Sequence, residues 1–304
     1  MLSAAKRILL TAQLACFRLT TRQRWAFGVC AVFKDESRHL EEWLEFHRLM
    51  GVEHFFLYND HSNDGFMTVL QPWIDKGQVT LRPSKSREQK AIYNHCLRHG
   101  AARCRWIAFI DLDEFLFSPE AVPLPEAMER YSTAPAVFVH WILFGSGGHV
   151  HAPQGGTVDS YTKSMGLDAS ISDDFVHGKI GPRSEYVTGC ARDGKSIVDP
   201  RAVIEMGVHL PYILKWGSTV TETLGKPHPR SPAGTPFTCD ILRINHYWSR
   251  SVEELTVKVL RGAVRTSKRE EINLERSLQR ETLLNQVEDR VILDTRERLS
   301  ASRR

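Results

Sequence analysis

Short apolar runs alternate with helix-patterned stretches along the first third of this chain, and that alternation restricts its fold more than any other feature. Trp25 to Phe33 (WAFGVCAVF), His54 to Tyr58 (HFFLY), Val79 to Leu81 and Trp106 to Ile110 read as strands, the first and last of them apolar on both side-chain parities and so buried on both faces. Between the first two, Leu40, Trp43, Leu44 and His47 recur at helical spacing behind Ser37, a capping residue type, and Gly51 closes the segment. Asp64 opens a shorter helix that ends before Gly77, and Arg87 to His99 reads as a third, with Gly100 past its end. Strands separated by helices imply an α/β fold with a mainly parallel, Rossmann-like sheet flanked by helices. Ligands of such sheets gather at the carboxyl ends of the strands.

Three of those ends carry polar clusters: Lys34-Asp35-Glu36, the stretch from Asn59 to Asp64, and Asp111-Leu112-Asp113-Glu114. One such cluster is an ordinary turn; three on one edge describe a site. The last is the sharpest, because Ile107 to Phe117 (IAFIDLDEFLF) sets its acids inside an apolar run. Two aspartates flanking one residue can turn toward the same space, and Mg²⁺ or Mn²⁺ commonly takes one or two carboxylates plus substrate phosphates. Asp111 and Asp113 are therefore candidate holders of a metal–diphosphate. A carboxylate at a neighbouring strand end can accept the N–H of a uracil ring, which points to Asp60 or Asp35. Lys85, Arg87 and Lys90 lie where phosphate contacts arise, although a solvated helix start explains each of them singly.

Chain-wide properties narrow the class. The 304 residues supply ample core, with 42% hydrophobic and 25% charged residues, as in soluble globular proteins. A net charge of +4 argues against a nucleic-acid partner. Six cysteines without C-x-x-C spacing fit buried thiols in a reduced compartment better than a zinc site. Residues 1–24 hold five basic side chains, no acid, and apolar positions too few for a spanning helix; they read as a basic amphipathic segment for an anionic membrane face, or as a helix packed on the domain. The stretch from Ser267 to Arg304 alternates Arg and Glu with helically spaced apolar residues and reads as a solvated helical appendage.

The string KDESRHLEEWLEFHRLMGVEHFFLYNDHSND resembles the N-terminal motif of glycosyltransferase family 92 and its bacterial relatives, with a K-[ND]-E opening, an E-W-x-x-[FY]-H helix and a G-V-x-H-[FY] strand. Gln89 to Asn94, followed by WIAFIDLDEFL, is similar to the family's metal-binding strand. Phe144 to His149, Lys195 to Val198, and His246-Tyr247-Trp248-Ser249-Arg250-Ser251 with KVLRG (Lys258 to Gly262) follow in the family's order, so the resemblance covers roughly residues 26–265. It implies a GT-A fold and transfer of a sugar from a nucleotide-sugar, a UDP-sugar such as UDP-galactose, to a glycan or lipid-linked saccharide. The basic segment without a visible spanning helix gives the cytoplasm as the expected place of work, with residues 1–24 at the inner membrane face. The resemblance implies Lys34, Asp35, Asp60, Gln89, Asp111 and His149 for the donor. Mn²⁺ or Mg²⁺ would sit on Asp111, Asp113 and His246. Arg250 could face the diphosphate, and the glycines of residues 145–148 would let backbone approach the sugar. Characterised galactosyltransferases of the family invert, which asks for a carboxylate base; Asp159 matches best by position, with Asp173 and Asp174 as alternatives.

The expected organisation is a basic segment (1–24), a GT-A domain (25–265, with a nucleotide-binding half to residue 118 and an acceptor half from 119), and a charged helical tail (266–304). Two other classes compete. A nucleotidyltransferase would want a glycine-rich, basic phosphate loop near the first strand, and Val29 to Glu36 offers none. A non-catalytic binding protein on the same fold would be free to lose one of the paired aspartates, and both are present.

Overall fold

A computed structural model describes residues 22–86, 88–165, 170–172, 186–188, 194–222, 238–261 and 274–303. Strand β1 (Trp25–Phe33), helix α1 (Ser37–Leu49), β2 (His54–Asn59), α2 (Phe66–Asp75), β3 (Val79–Pro83), α3 (Gln89–His99) and β4 (Cys104–Phe109) follow one another as the alternation requires. One boundary differs for a local reason. Ser37 is the first residue of α1 rather than its cap, and its N–H donates to Asp64 Oδ2 at 2.7 Å. Asp64 thus caps α1 from the loop after β2, and α2 begins only at Phe66.

Beyond the acids come β5 (Glu114–Phe117), β6 (Ala136–Leu143), β7 (Gly194–Val198), β8 (Thr219–Thr221) and β9 (Arg243–His246). All belong to one 9-stranded sheet in the order β3-β2-β1-β4-β7-β6-β9-β5, with β8 beside β6. Strands β1 to β4 pair in parallel. β7 is antiparallel to both its neighbours, and β9 is parallel to β6 but antiparallel to β5. The sheet is therefore mainly parallel, as expected, with its antiparallel pairings confined to the second half, at β7 and β5. Only residues 110–113 separate β4 from β5, far fewer than a parallel crossover needs.

Alternation along β1 divides the core. Phe27, Val29, Ala31 and Phe33 share one cluster with Trp43 and Leu44 of α1, while Cys30 and Val32 face Ile92, Tyr93 and Cys96 of α3. Cys30, Cys96, Cys104 and Cys239 are buried free thiols, and Cys16 and Cys190 lie outside the described residues.

Among the described residues three helices follow the sheet: α4 (Val252–Arg261), α5 (Leu274–Leu283) and α6 (Val291–Ala301). The last two are not a solvated appendage. Ile292 and Leu299 of α6 enter the main core, and Arg243 of β9 pairs with Asp289. Ile292, Thr295 and Leu299 form one buried stripe, and the tail's charges occupy its other faces. No described helix is long and apolar enough to cross a membrane. Residues 1–21, which hold most of the basic segment, lie outside the described residues.

Candidate active site

The loops after β1 and β2 are tied together. Asp35 donates its N–H to Ser62 Oγ at 2.9 Å and accepts from Asn63 N at 2.8 Å. Its φ of 51° lies in the left-handed region, which aspartate tolerates better than most residues. Asp60 stands at the end of β2, with Oδ1 3.1 Å from His61 Nδ1. Lys34 is half-buried beside them. Lys90 points elsewhere, to Glu205 at 2.7 Å, and Arg87 lies outside the described residues.

A tight turn ends β4. Glu114 N–H donates to Asp111 O at 3.1 Å, and Asp111 N–H to Glu114 Oε2 at 2.9 Å. The two aspartates are held differently. Asp111 accepts from Gln89 and from Tyr93 (3.1 Å) on one oxygen, and from Lys195 Nζ (2.9 Å) on the other. Asp113 accepts from Lys258 Nζ at 2.7 Å, and His246 Nε2 lies 3.5 Å from the same oxygen. Register explains the histidine: β9 pairs with β5 so that His246 stands opposite Glu114. Asp113, Glu114 and His246 offer ligand atoms all within 4.8 Å of one another. Lys195 and Lys258 fall inside motif strings quoted above, but their pairing with the acids needs the fold to be seen.

Charge is set by burial and partners. Burial acts to raise the Asp113 carboxyl, yet Lys258, His246 and Arg250 together outweigh it and hold Asp113 well below the usual carboxylate range. Burial pushes the Glu114 carboxyl up; Lys195 opposes, and Asp111 and Asp113 add to the rise. Burial acts against the Lys195 ammonium, but Asp111 and Glu114 raise it further and keep it charged. Burial lowers His246 despite Asp113, leaving a neutral imidazole fit for ligation.

Helix α1 fixes the strand after the acids. Trp43 Nε1–H donates to Glu114 O at 2.9 Å, and His47 Nε2 accepts from Leu116 N at 3.1 Å while its Nδ1–H donates to Trp43 O at 2.8 Å. These are the Trp and His of the E-W-x-x-F-H string.

Asp113 opens on a cavity of about 460 Å³ whose walls include Glu36, His39, Arg250, Glu253, Glu254 and Lys258. Arg250 is buried there, donating to Glu36 Oε2 (2.8 Å) and Leu112 O (3.1 Å). His39 Nε2 meets Glu254 Oε1 at 2.9 Å, a pairing between residues 215 apart that no local pattern announces.

Two expected residues lie elsewhere. Asp159, in a single helical turn (Thr157–Ser160), is not part of that cavity's lining and forms a two-pronged ion pair with Arg296 of α6 at 2.9 and 2.6 Å. His149 Nε2 sits 3.1 Å from Ser160 O, with its ring against Tyr161. A Cβ at Gly145 would collide with the Asn285 carboxamide, so the close approach at this glycine is made by Asn285. Asp173 and Asp174 lie outside the described residues.

Comparison with known proteins agrees with the motif order. The sequence model of glycosyltransferase family 92 matches residues 25–227. A family 92 protein of Oryza sativa subsp. japonica is 30% identical over 149 residues, 46% of this chain and 25% of the relative. The galactan beta-1,4-galactosyltransferase GALS2 of Arabidopsis thaliana is 26% identical over 200 residues, 62% of this chain and 36% of that one. The match therefore spans only about a quarter to a third of these relatives' length. Among solved structures, GalNAc-T7 with UDP, GalNAc and Mn²⁺ aligns at a TM-score of 0.36 and 12% identity, over 73% of this chain and 43% of that one.

Proposed function

Because this chain belongs to glycosyltransferase family 92, we propose that it transfers a sugar from a UDP-sugar to a hydroxyl of a glycan or lipid-linked saccharide, with inversion and with Mn²⁺ or Mg²⁺. Galactose is the sugar we favour, after the relatives described as galactan galactosyltransferases. The observation that carries the reading is the meeting of Asp113, Glu114 and His246 at the carboxyl edge of the sheet.

The donor set suits a divalent cation. Glu114 Oε1 and His246 Nδ1 are buried without a hydrogen-bond partner, and Asp113 is ionised. Asp113 and His246 would hold the ion, with Asp111 behind them under Gln89, Tyr93 and Lys195. When bound, the cation would act as a Lewis acid on the leaving diphosphate. The chain's own groups do the rest. Lys258, with its side chain 34% exposed, can turn from Asp113 to a phosphate oxygen. Lys195, 1% exposed, cannot move away and fixes Asp111. Inversion asks for a base within about 2.6–3.2 Å of the acceptor hydroxyl. Glu253, 56% exposed on the cavity wall, is better placed for that than Asp159.

Release of UDP from a panel of UDP- and GDP-sugars, with and without Mn²⁺, tests this reading. Turnover of one UDP-sugar only with metal is expected; turnover unchanged by a chelator would remove the cation from it. Asp60→Ala should weaken UDP binding by about 1.5–3 kcal/mol, the worth of one charged hydrogen bond, and equal affinities by calorimetry would take Asp60 out of the donor site. We also place the enzyme in the cytoplasm, with residues 1–24 against an anionic membrane face. Liposome flotation of full-length and truncated protein decides that, and equal recovery counts against the membrane contact.

A further inference from the structure

A second cavity, of about 360 Å³, opens between α3 and the edge strand β3, and it shares no lining residue with the cavity at Asp113. Arg82, Lys85, His95 and Arg98 line it together with Tyr58 and Ile92. Lys90, on the same helix, meets a carboxylate. By contrast, Arg82, Lys85 and Arg98 have no carboxylate partner among the described residues. The local field is positive and uncompensated, in a fold where Lys195, Arg243, Arg250 and Lys258 all sit on acids.

We propose that this cavity binds the phosphoryl group of an organic phosphate other than the sugar donor, with Arg82, Lys85 and Arg98 on its oxygens and Tyr58 and Ile92 against its carbon skeleton. Guanidinium groups suit phosphate through paired N–H donors, and an apolar wall beside them favours a ligand with a ring or chain over the bare ion. His95 is a built-in reporter. Tyr58 Oη lies 2.9 Å from its Nδ1, orienting the ring from β2. Burial, then His99, Arg82, Arg98 and Lys85, lower the imidazole to about 4. An anion among those cations cancels their field, so His95 should titrate higher when the cavity is filled.

The test uses the full chain and NMR of its imidazoles, with His95 assigned through His95→Gln. Phenyl phosphate is the soluble probe. At saturation His95 should titrate at least about one unit higher than in the free protein. Arg82→Gln combined with Lys85→Gln, both at exposed positions, should weaken binding about tenfold or more. An unmoved His95, or a double variant that binds equally well, would overturn the proposal. Inorganic phosphate should bind more weakly than phenyl phosphate; equal affinity would overturn the organic part. A His95 shift on adding UDP that Asp60→Ala abolishes would make this the donor's own site and overturn the rest. Phosphatidylcholine vesicles with and without phosphatidic acid separate the sources. Co-sedimentation that needs phosphatidic acid and is lost in the double variant supports the proposal with a lipid phosphate. No co-sedimentation, with the phenyl phosphate response intact, supports it with a soluble ester.

Discussion

Asp113→Ala should lower sugar transfer roughly a thousandfold while leaving the fold intact, a loss on the scale of removing a group that stabilises transition-state charge. The variant deletes the oxygen shared by His246 and Lys258. It strands only Lys258, whose side chain is a third exposed and can return to water, so little stability is lost. Asp111→Ala should behave differently. It leaves the Lys195 ammonium, 1% exposed, without its hydrogen-bonded carboxylate and with Glu114 only at 3.9 Å, and breaking a buried pair in this way costs about 3–5 kcal/mol. Thermal midpoints beside UDP release from the UDP-sugar separate the two. An Asp113→Ala protein that is fully active, or that melts as early as Asp111→Ala, would sink this division of labour.

The second large effect is expected at His47, which touches no substrate. Its Nε2 accepts from Leu116 and its Nδ1–H donates to Trp43, so the neutral tautomer is fixed and no nitrogen is left for a second proton. Burial lowers the ring to about 3. The folded state therefore refuses a proton that the unfolded chain takes up below about pH 6.5. This contribution to stability is complete above that pH and shrinks as pH falls toward 3, at up to about 1.4 kcal/mol per unit. Between pH 7 and 5 His47 should cost the wild type about 2 kcal/mol. His47→Ala should cost about 3 kcal/mol at pH 7, since it empties a core site and orphans the Leu116 N–H. It should then lose about 2 kcal/mol less than wild type on acidification to pH 5. Urea midpoints of both proteins at the two pH values measure this, and parallel acid losses would show that His47 does not refuse the proton.

The first half of the fold was legible because its signals are local. Trp25–Phe33 begins and ends where its apolar run does. The capping of α1 was not, because Asp64 reaches it from the loop after another strand. The mixed second half was hidden as well: nothing in Gly194–Val198 says that this strand inserts antiparallel between β4 and β6. Asp111 and Asp113 could be found as a pair, and His246 through its motif. What the pair contacts could not be found, since Lys195 and Lys258 arrive from 84 and 145 residues away. Packing of the tail was missed because charged residues dominate α6 and only a narrow stripe is buried.

The ion pair between Lys258 and Asp113 has a consequence for the order in which ligands arrive. On the proposed metal site, a divalent cation coming alone would have to evict the ammonium that neutralises Asp113. A cation arriving with a diphosphate supplies that ammonium with a partner. Metal and nucleotide should therefore tighten each other's binding by one common factor, as linkage demands. Lys258→Met should erase much of that mutual dependence by letting the metal bind first.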